Sequence, residues 1–232
     1  MREHMQVRLL SSAILQPIIP PLPSLMSVVS LGKRLEIPGL TTISYLEDPS
    51  LHLKIPGDGG RRRQPVDCVV LHTTGGYPDR KHPAPQWIDE NPALPEHRDA
   101  RGTIAYWRRS DRVAGAHLVL DADAVLYCTC DLLLDVAYHC PGMNSRSIGI
   151  EITQGSDSRL WRAQLDALPI LCRWLLATFN LRDAVVYPYR GVRANPSGLR
   201  GFLGHRDASN NRGFGDPGDY VMECLPEEWS RV

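Results

Sequence analysis

Two short apolar runs that each end in a histidine constrain this chain more than any other feature. The first is Val69-Val70-Leu71-His72, which continues into Thr73-Thr74, and the second is Gly201-Phe202-Leu203-Gly204-His205. Apolar, partly β-branched segments with few charges read as central strands, so both histidines fall at strand ends, where a rigid scaffold fixes a side chain. After His205 a polar, glycine-rich loop closes on Asp216, followed by Pro217 and Gly218. Imidazole nitrogens from His72 and His205 and a carboxylate oxygen from Asp216 make a donor set suited to one zinc ion. Two histidines and a carboxylate leave the fourth tetrahedral position to solvent, as a catalytic site requires and a structural site does not. Each residue alone has a plainer reading. His72 is then a core histidine, His205 a loop-orienting group, and Asp216-Pro217 a helix N-cap or the start of a type II turn.

The pieces between these residues favour their convergence. Ser147-Ile-Gly-Ile-Glu-Ile152 alternates strictly, placing Ile148, Ile150 and Ile152 on one face and Ser147, Gly149 and Glu151 on the other. A carboxylate on an otherwise apolar strand is costly to bury without a task, and Glu151 fits a general base that takes a proton from an attacking water. Its plainer reading is a solvent-facing glutamate on a half-exposed strand. Gly149 beside it leaves room for substrate. His117-Leu-Val-Leu-Asp121 and Ala124-Val-Leu-Tyr-Cys128 flank a turn and predict a hairpin. A short helix is expected over 98–108 and a long one over 158–179, whose apolar stripe includes Trp161, Leu165, Leu168, Cys172, Leu175, Leu176 and Phe179. Pro169 inside that stripe predicts a kink or break. Val185-Val186-Tyr187 is a strand candidate, 217–224 a final helical turn or two, and 75–100 a long loop. Strands interleaved with helices, without a strict βαβ rhythm, give an α/β class.

Composition narrows the partners. Of 232 residues, 26 are Lys or Arg and 26 are Asp or Glu, so net charge points to neither nucleic acid nor a membrane. The Arg61-Arg62-Arg63 run beside Gly59-Gly60 reads as a solvated turn. Six cysteines without a CxxC pair argue against a zinc–cysteine cluster, while a disulfide such as Cys130 with Cys140 stays open. Residues 1–32 are expected to be a disordered or weakly packed leader. Pro17, Pro20, Pro21 and Pro23 interrupt its apolar stretch, and each costs a helix interior about 3 kcal/mol, which rules against a membrane span. A secretory signal is the less favoured reading, for want of a small-residue cleavage site. Residues 33–64 read as an N-terminal arm of edge strands, with the main domain over 65–232.

His72-Thr-Thr, Ala116-His117-Leu-Val-Leu-Asp, Ala137-Tyr-His139-Cys-Pro-Gly-Met-Asn144, Ser147-Ile-Gly-Ile-Glu151, Gly204-His205-Arg-Asp and Asp216-Pro-Gly218 occur in the order of one family. The chain resembles the zinc-dependent N-acetylmuramoyl-L-alanine amidases, the group that includes phage lysozyme-like amidases and peptidoglycan recognition proteins. The resemblance spans roughly residues 66–225. It implies a mixed central β-sheet flanked by helices, with an irregular N-terminal extension here, and zinc in a groove on one face. It also implies hydrolysis of the amide between the lactyl group of N-acetylmuramic acid and L-alanine of the stem peptide. By position, His72, His205 and Asp216 would be zinc ligands and Glu151 the catalytic base. His139, Asn144, His117 and Thr73 would be substrate-binding, with a structural part for His117 equally open. The family's lysine two residues before the last ligand is replaced by Phe214, and Arg212 is the candidate to supply positive charge to the oxyanion. The implied partner is peptidoglycan or a muropeptide, met at the cell wall by a monomer. A non-cutting muropeptide binder and a zinc peptidase acting within the stem peptide are the rival functions. A phage endolysin, a bacterial recycling or remodelling enzyme and an exported antibacterial toxin would all keep this core.

Overall fold

The computed structural model describes residues 27–53, 60–74, 87–88, 99–111, 113–154, 160–181, 185–186, 198–209 and 216–231. In chain order the strands are β1 (Val28–Ser30), β2 (Lys33–Leu35), β3 (Thr42–Ser44), β4 (Cys68–Thr73) and β5 (Trp87–Ile88). Helix α1 (Ala100–Arg109) precedes β6 (Leu118–Leu120), β7 (Leu126–Cys128), β8 (Ser147–Ile152) and β9 (Leu160–Trp161). Then come α2 (Arg162–Thr178), β10 (Val185–Val186), β11 (Gly201–Gly204), α3 (His205–Ala208), α4 (Asp219–Glu223) and β12 (Ser230–Arg231).

Eight strands form one mixed sheet in the order β12-β10-β11-β4-β8-β6-β7-β3. All its pairs are parallel except β6–β7, which form the antiparallel hairpin expected from sequence. The fold is therefore mixed α/β with helices on the sheet. β4 and β8 lie at its centre, and every residue of both is buried. The period-2 pattern of these strands separates two environments. Val69, Leu71, Ile148, Ile150 and Ile152 enter the main core with Leu118, Leu120 and Phe202. Leu165, Leu168, Leu171, Cys172 and Leu175 of α2 pack in that same core. Cys68 and Val70, from the alternate positions, pack instead with Cys140, Met143, Leu199, Leu203 and Ala208. Val119 lies with Ala100 and Ile104 of α1 and with Leu51.

α2 continues through Pro169, so of the kink or break expected at that residue the break does not occur. A proline there removes one hydrogen bond, at a cost of about 3 kcal/mol. Burial of the five apolar side chains named above contributes about 1.5–3 kcal/mol each and outweighs it. The helix begins at Arg162 rather than 158 because Leu160 and Trp161 pair with β5 as strand. That short parallel ladder also places regular structure inside the segment read as a long loop.

β3 is one edge strand of the main sheet, parallel to β7. The β1–β2 hairpin buries Val28 and Val29 completely, and Asp131 accepts hydrogen bonds from the main chain of Leu31 and Gly32 at its turn. All six cysteines are free thiols, five of them buried. Burial pushes the Cys128 and Cys140 thiols up to about 12. Among the described residues no helix is long and apolar enough to cross a membrane.

Candidate metal centre

β11 lies beside β4 in parallel register, Leu71 opposite Gly204, so the residues that follow are delivered to one place. Those residues are His72 and His205, 2% and 1% exposed. Their Nδ1 atoms face each other at 3.1 Å. Asp216 closes the triangle, with Oδ1 3.6 Å from His72 Nδ1 and Oδ2 3.3 Å from His205 Nδ1. Each of the three residues offers a ligand atom, and these atoms lie within 4.8 Å of one another. Around a tetrahedral zinc with bonds of about 2.0–2.2 Å, neighbouring ligand atoms stand about 3.3–3.6 Å apart. Separations of 3.1–3.6 Å, taken over both carboxylate oxygens, come close to that spacing, and the mixed nitrogen and oxygen donor set suits such an ion.

Local sequence explains the approach. A Cβ on Gly204 would stand 2.7 Å from Cδ of Pro217, so only glycine lets the Asp216-Pro217 turn pack on the end of β11. The Asp216 carbonyl accepts the Arg206 N–H at 3.0 Å, and its Oδ1 accepts the Thr73 N–H at 3.1 Å. Thr73 thus meets the centre through its main chain. Asp216 is not an N-cap, since α4 starts at Asp219 behind Gly218. Burial alone would raise the Asp216 carboxyl, but the charge and hydrogen bonds of His72 and His205 hold it well below the usual carboxylate range.

Glu151 stands directly opposite His72 in the parallel β4–β8 register and is 7% exposed. Neighbouring strands lie about 4.8 Å apart, and paired residues leave the sheet on the same face. Glu151 therefore leaves the sheet on the same face as His72, as the alternation of its strand predicted.

The remaining residues named from sequence form the surroundings. His139 Nδ1 lies 3.0 Å from His72 Nε2, and its Nε2 lies 3.1 Å from Ser147 Oγ. Burial, followed by the neighbouring His72, His117, His205 and Arg62, pushes the His139 pKa well below its ordinary value. Gly149 makes room for this ring rather than for substrate, because a Cβ there would lie 2.5 Å from His139 Cγ. Asn144 turns Oδ1 back onto the N–H groups of His139 and Cys140, at 2.9 and 2.7 Å, and so fixes the 139–144 loop. It also lines a cavity of about 470 Å³ with Arg61, Arg63, Tyr138 and Ser145. His117 is fully buried, accepts the Gly149 N–H on Nδ1 at 3.1 Å, and has its pKa lowered to about 3 by burial and then by Arg62. Arg212 and Phe214 lie outside the described residues.

Arg62 was not among the residues expected here. An isolated bridge between Arg61 and Asp135 holds the segment extended, so alternate side chains point opposite ways. Arg61 and Arg63 are exposed, whereas Arg62 turns inward, donates to the Ser147 carbonyl at 2.9 Å and lies 2.9 Å from His117 Nε2. The run is thus not wholly a solvated turn. Reading it as extended chain would have found the middle arginine.

This architecture is that of a mixed α/β protein with a candidate metal centre where two parallel strands end. Residues 62–219 match the model of the N-acetylmuramoyl-L-alanine amidase family, and the chain belongs to that family. A search of curated proteins finds no match. Among solved structures, the chain is similar to an endolysin N-acetylmuramoyl-L-alanine amidase, LysCS, from Clostridium intestinale URNW. That likeness has 18% identity over 81% of this chain and 95% of the other, with a TM-score of 0.46. It is also similar to the ectodomain complex of peptidoglycan recognition proteins LCa and LCx bound to tracheal cytotoxin, at 17% identity, 82% and 98% coverage and a TM-score of 0.49. Drosophila peptidoglycan recognition protein LB is similar at 14% identity, 78% and 90% coverage and a TM-score of 0.45.

Proposed function

We propose that the protein is a zinc-dependent hydrolase that cuts the amide between N-acetylmuramic acid and L-alanine in peptidoglycan. One observation carries the reading: His72, His205 and Asp216 offer ligand atoms within 4.8 Å of one another, with Glu151 on the neighbouring strand opposite His72. A zinc ion held by those three residues would polarise the scissile carbonyl and make water acidic enough to react near neutral pH. Glu151 accepts a proton from the attacking water and delivers it to the leaving amine of L-alanine. Thr73 holds the Asp216 carboxylate through its N–H, which keeps the ligand triangle in shape. The cavity beside Asn144, with Arg61 and Arg63 on its walls, suits a ligand that carries carboxylates, as stem peptides do. Arg212 is proposed to offset negative charge on the carbonyl oxygen during attack.

A binder that does not cut needs no general base beside the cluster, and the burial of Glu151 on the His72 face favours the hydrolase. Digestion of purified sacculi with zinc-loaded protein, followed by mass spectrometry, tests the bond. Free stem peptides beginning in L-alanine are expected. Fragments cut within the stem peptide indicate a peptidase, and intact muropeptides indicate a binder. The site of action on this reading is the cell wall.

A further inference from the structure

We infer that the cavity beside Asn144 is an anion subsite that takes a carboxylate of the stem peptide, so that peptides with free carboxylates bind in preference to amidated ones. The inference deepens the hydrolase reading above and rests on it for the identity of the ligand. Main-chain pairing builds the subsite. The Arg62 N–H donates to the Leu134 carbonyl at 2.7 Å, and the Val136 N–H donates to the Gly60 carbonyl at 2.8 Å. Extended chain sends side chains two apart to the same side, so Arg61 and Arg63 reach one cavity of about 470 Å³ together. Ser145 Oγ donates to Gln64 Oε1 at 3.2 Å and joins two sides of its rim. The rest of the lining, from Gln64, Val136, Tyr138, Gly142, Asn144 and Ser145, carries no carboxyl.

The positive charge here is left unanswered within the protein. Arg63 makes no ion pair or hydrogen bond among the described residues. Asp135 Oδ1 lies 3.9 Å from Arg61 Nη1, and that arginine's side chain is 73% exposed, so the pair holds little. Behind the wall, Arg62 donates to the carbonyls of Ser147 and Asn144, at 2.9 and 3.5 Å. Among the described residues no carboxylate pairs with Arg62 and its Nε has no partner. Burial lowers its pKa only to about 10, so it stays a cation. A cation drawn partly out of water without a counter-ion is costly until an anion answers it. Asn144 adds a donor of fixed orientation. Its Oδ1 faces the two N–H groups that it accepts, which leaves Nδ2 and its two hydrogens unused among the described residues. Guanidinium forks and an amide donor around one space are the partners a carboxylate prefers.

Position favours the peptide over the glycan. His139 lies 3.0 Å from His72 through its ring and is held by Asn144 through its N–H, so one residue stands between the cavity wall and the candidate centre. Extended peptide advances about 3.3–3.6 Å per residue, which brings groups two or three residues past the scissile amide within reach. The muramic acid side offers no carboxylate, because its lactyl carboxyl is consumed in the amide.

The probe is the free tetrapeptide that the proposed cut releases, made with its carboxylates free and with all of them amidated. It cannot be cut again, so calorimetric titration of the protein as isolated reads binding apart from catalysis. Wild type should bind the free-carboxylate form about tenfold more tightly or better, the size of one hydrogen bond to a charged group. Arg61→Gln/Arg63→Gln should bring the two forms within about twofold of each other. Both side chains are exposed, so folding does not depend on them. The kcat/KM preference between the matching N-acetylmuramoyl tetrapeptides should shrink in parallel. Arg109→Gln, which removes an exposed arginine from α1, should keep the preference and controls for net charge. Equal binding of the two forms by wild type, or a preference that survives the double substitution, overturns the subsite. A protein that shows the preference but cuts no muropeptide preserves the subsite and removes the hydrolase reading.

Discussion

The two faces of the central sheet are built by the same strands and do opposite work. On one face Ile148, Ile150 and Ile152 join Val69 and Leu71 under α2, in a cluster that is apolar but for the buried thiols of Cys128 and Cys172. On the other, one residue along in each strand, stand His72, Ser147, Gly149 and Glu151. The first face is generic, because any apolar side chains of similar volume would hold α2. The second is specific, because its groups are tied to one another by directional hydrogen bonds that admit few substitutes. The difference teaches where stability and activity separate in this molecule: at alternate positions of a single strand.

The sharpest way to break that comparison uses Glu151. Glu151→Gln should lower hydrolysis of sacculi about 10²–10⁴-fold, the usual worth of a positioned acid–base group, while zinc uptake and the unfolding midpoint stay near wild type. Equal losses of activity and stability would show that the two faces are not separable. Its neighbour Ile150, fully buried in the main core, makes the opposite case. Ile150→Ala should cost about 2–5 kcal/mol in denaturant unfolding, with the folded fraction still binding zinc as wild type does. Gly149 shares the face of Glu151 and adjoins Ile150, and Gly149→Ala tests the boundary. Its Cβ meets His139 at 2.5 Å, so the ring must move. Overpacking should cost about 1–3 kcal/mol, and zinc affinity should fall at least about tenfold.

The smallest effect is a pH slope. His117 has a folded-state pKa lowered to about 3, against 6.5 for the free side chain. Below pH 6.5 the unfolded chain takes up a proton that the folded protein refuses. Stability contributed by the neutral ring is complete above 6.5 and is lost as pH falls toward 3. The slope is about 1.4 kcal/mol per pH unit for one such proton. Urea unfolding at several pH values between about 6.5 and 4.5, where most carboxylates still stay ionised, should show it. His117→Asn should reduce the slope by that amount and leave the share of His139, whose pKa is lowered as well.

Much of this was legible in the sequence. The alternation over 147–152 gave the strand, its two faces and the placement of Glu151. The histidines closing 69–72 and 201–205 marked the ends of two central strands, although only the register of β4 with β11 makes them meet. What stayed hidden depended on space that one-dimensional patterns do not encode. Gly149 was understood as room for substrate, but the room is taken by His139, which arrives from a loop outside the strand. Arg62 was masked by its two exposed neighbours. Pro169 argued for a kink or a break, and local propensity does not register the apolar burial that keeps α2 continuous.

Zinc binding to metal-free protein, measured in parallel for wild type and Asp216→Ala, tests the central claim most directly. The account predicts one ion per wild-type chain and an affinity weakened by more than about 100-fold in the variant, beyond what loss of a supporting hydrogen bond costs. Equal affinity in the two proteins would contradict it, since the carboxylate that closes the triangle would then take no part in binding the metal.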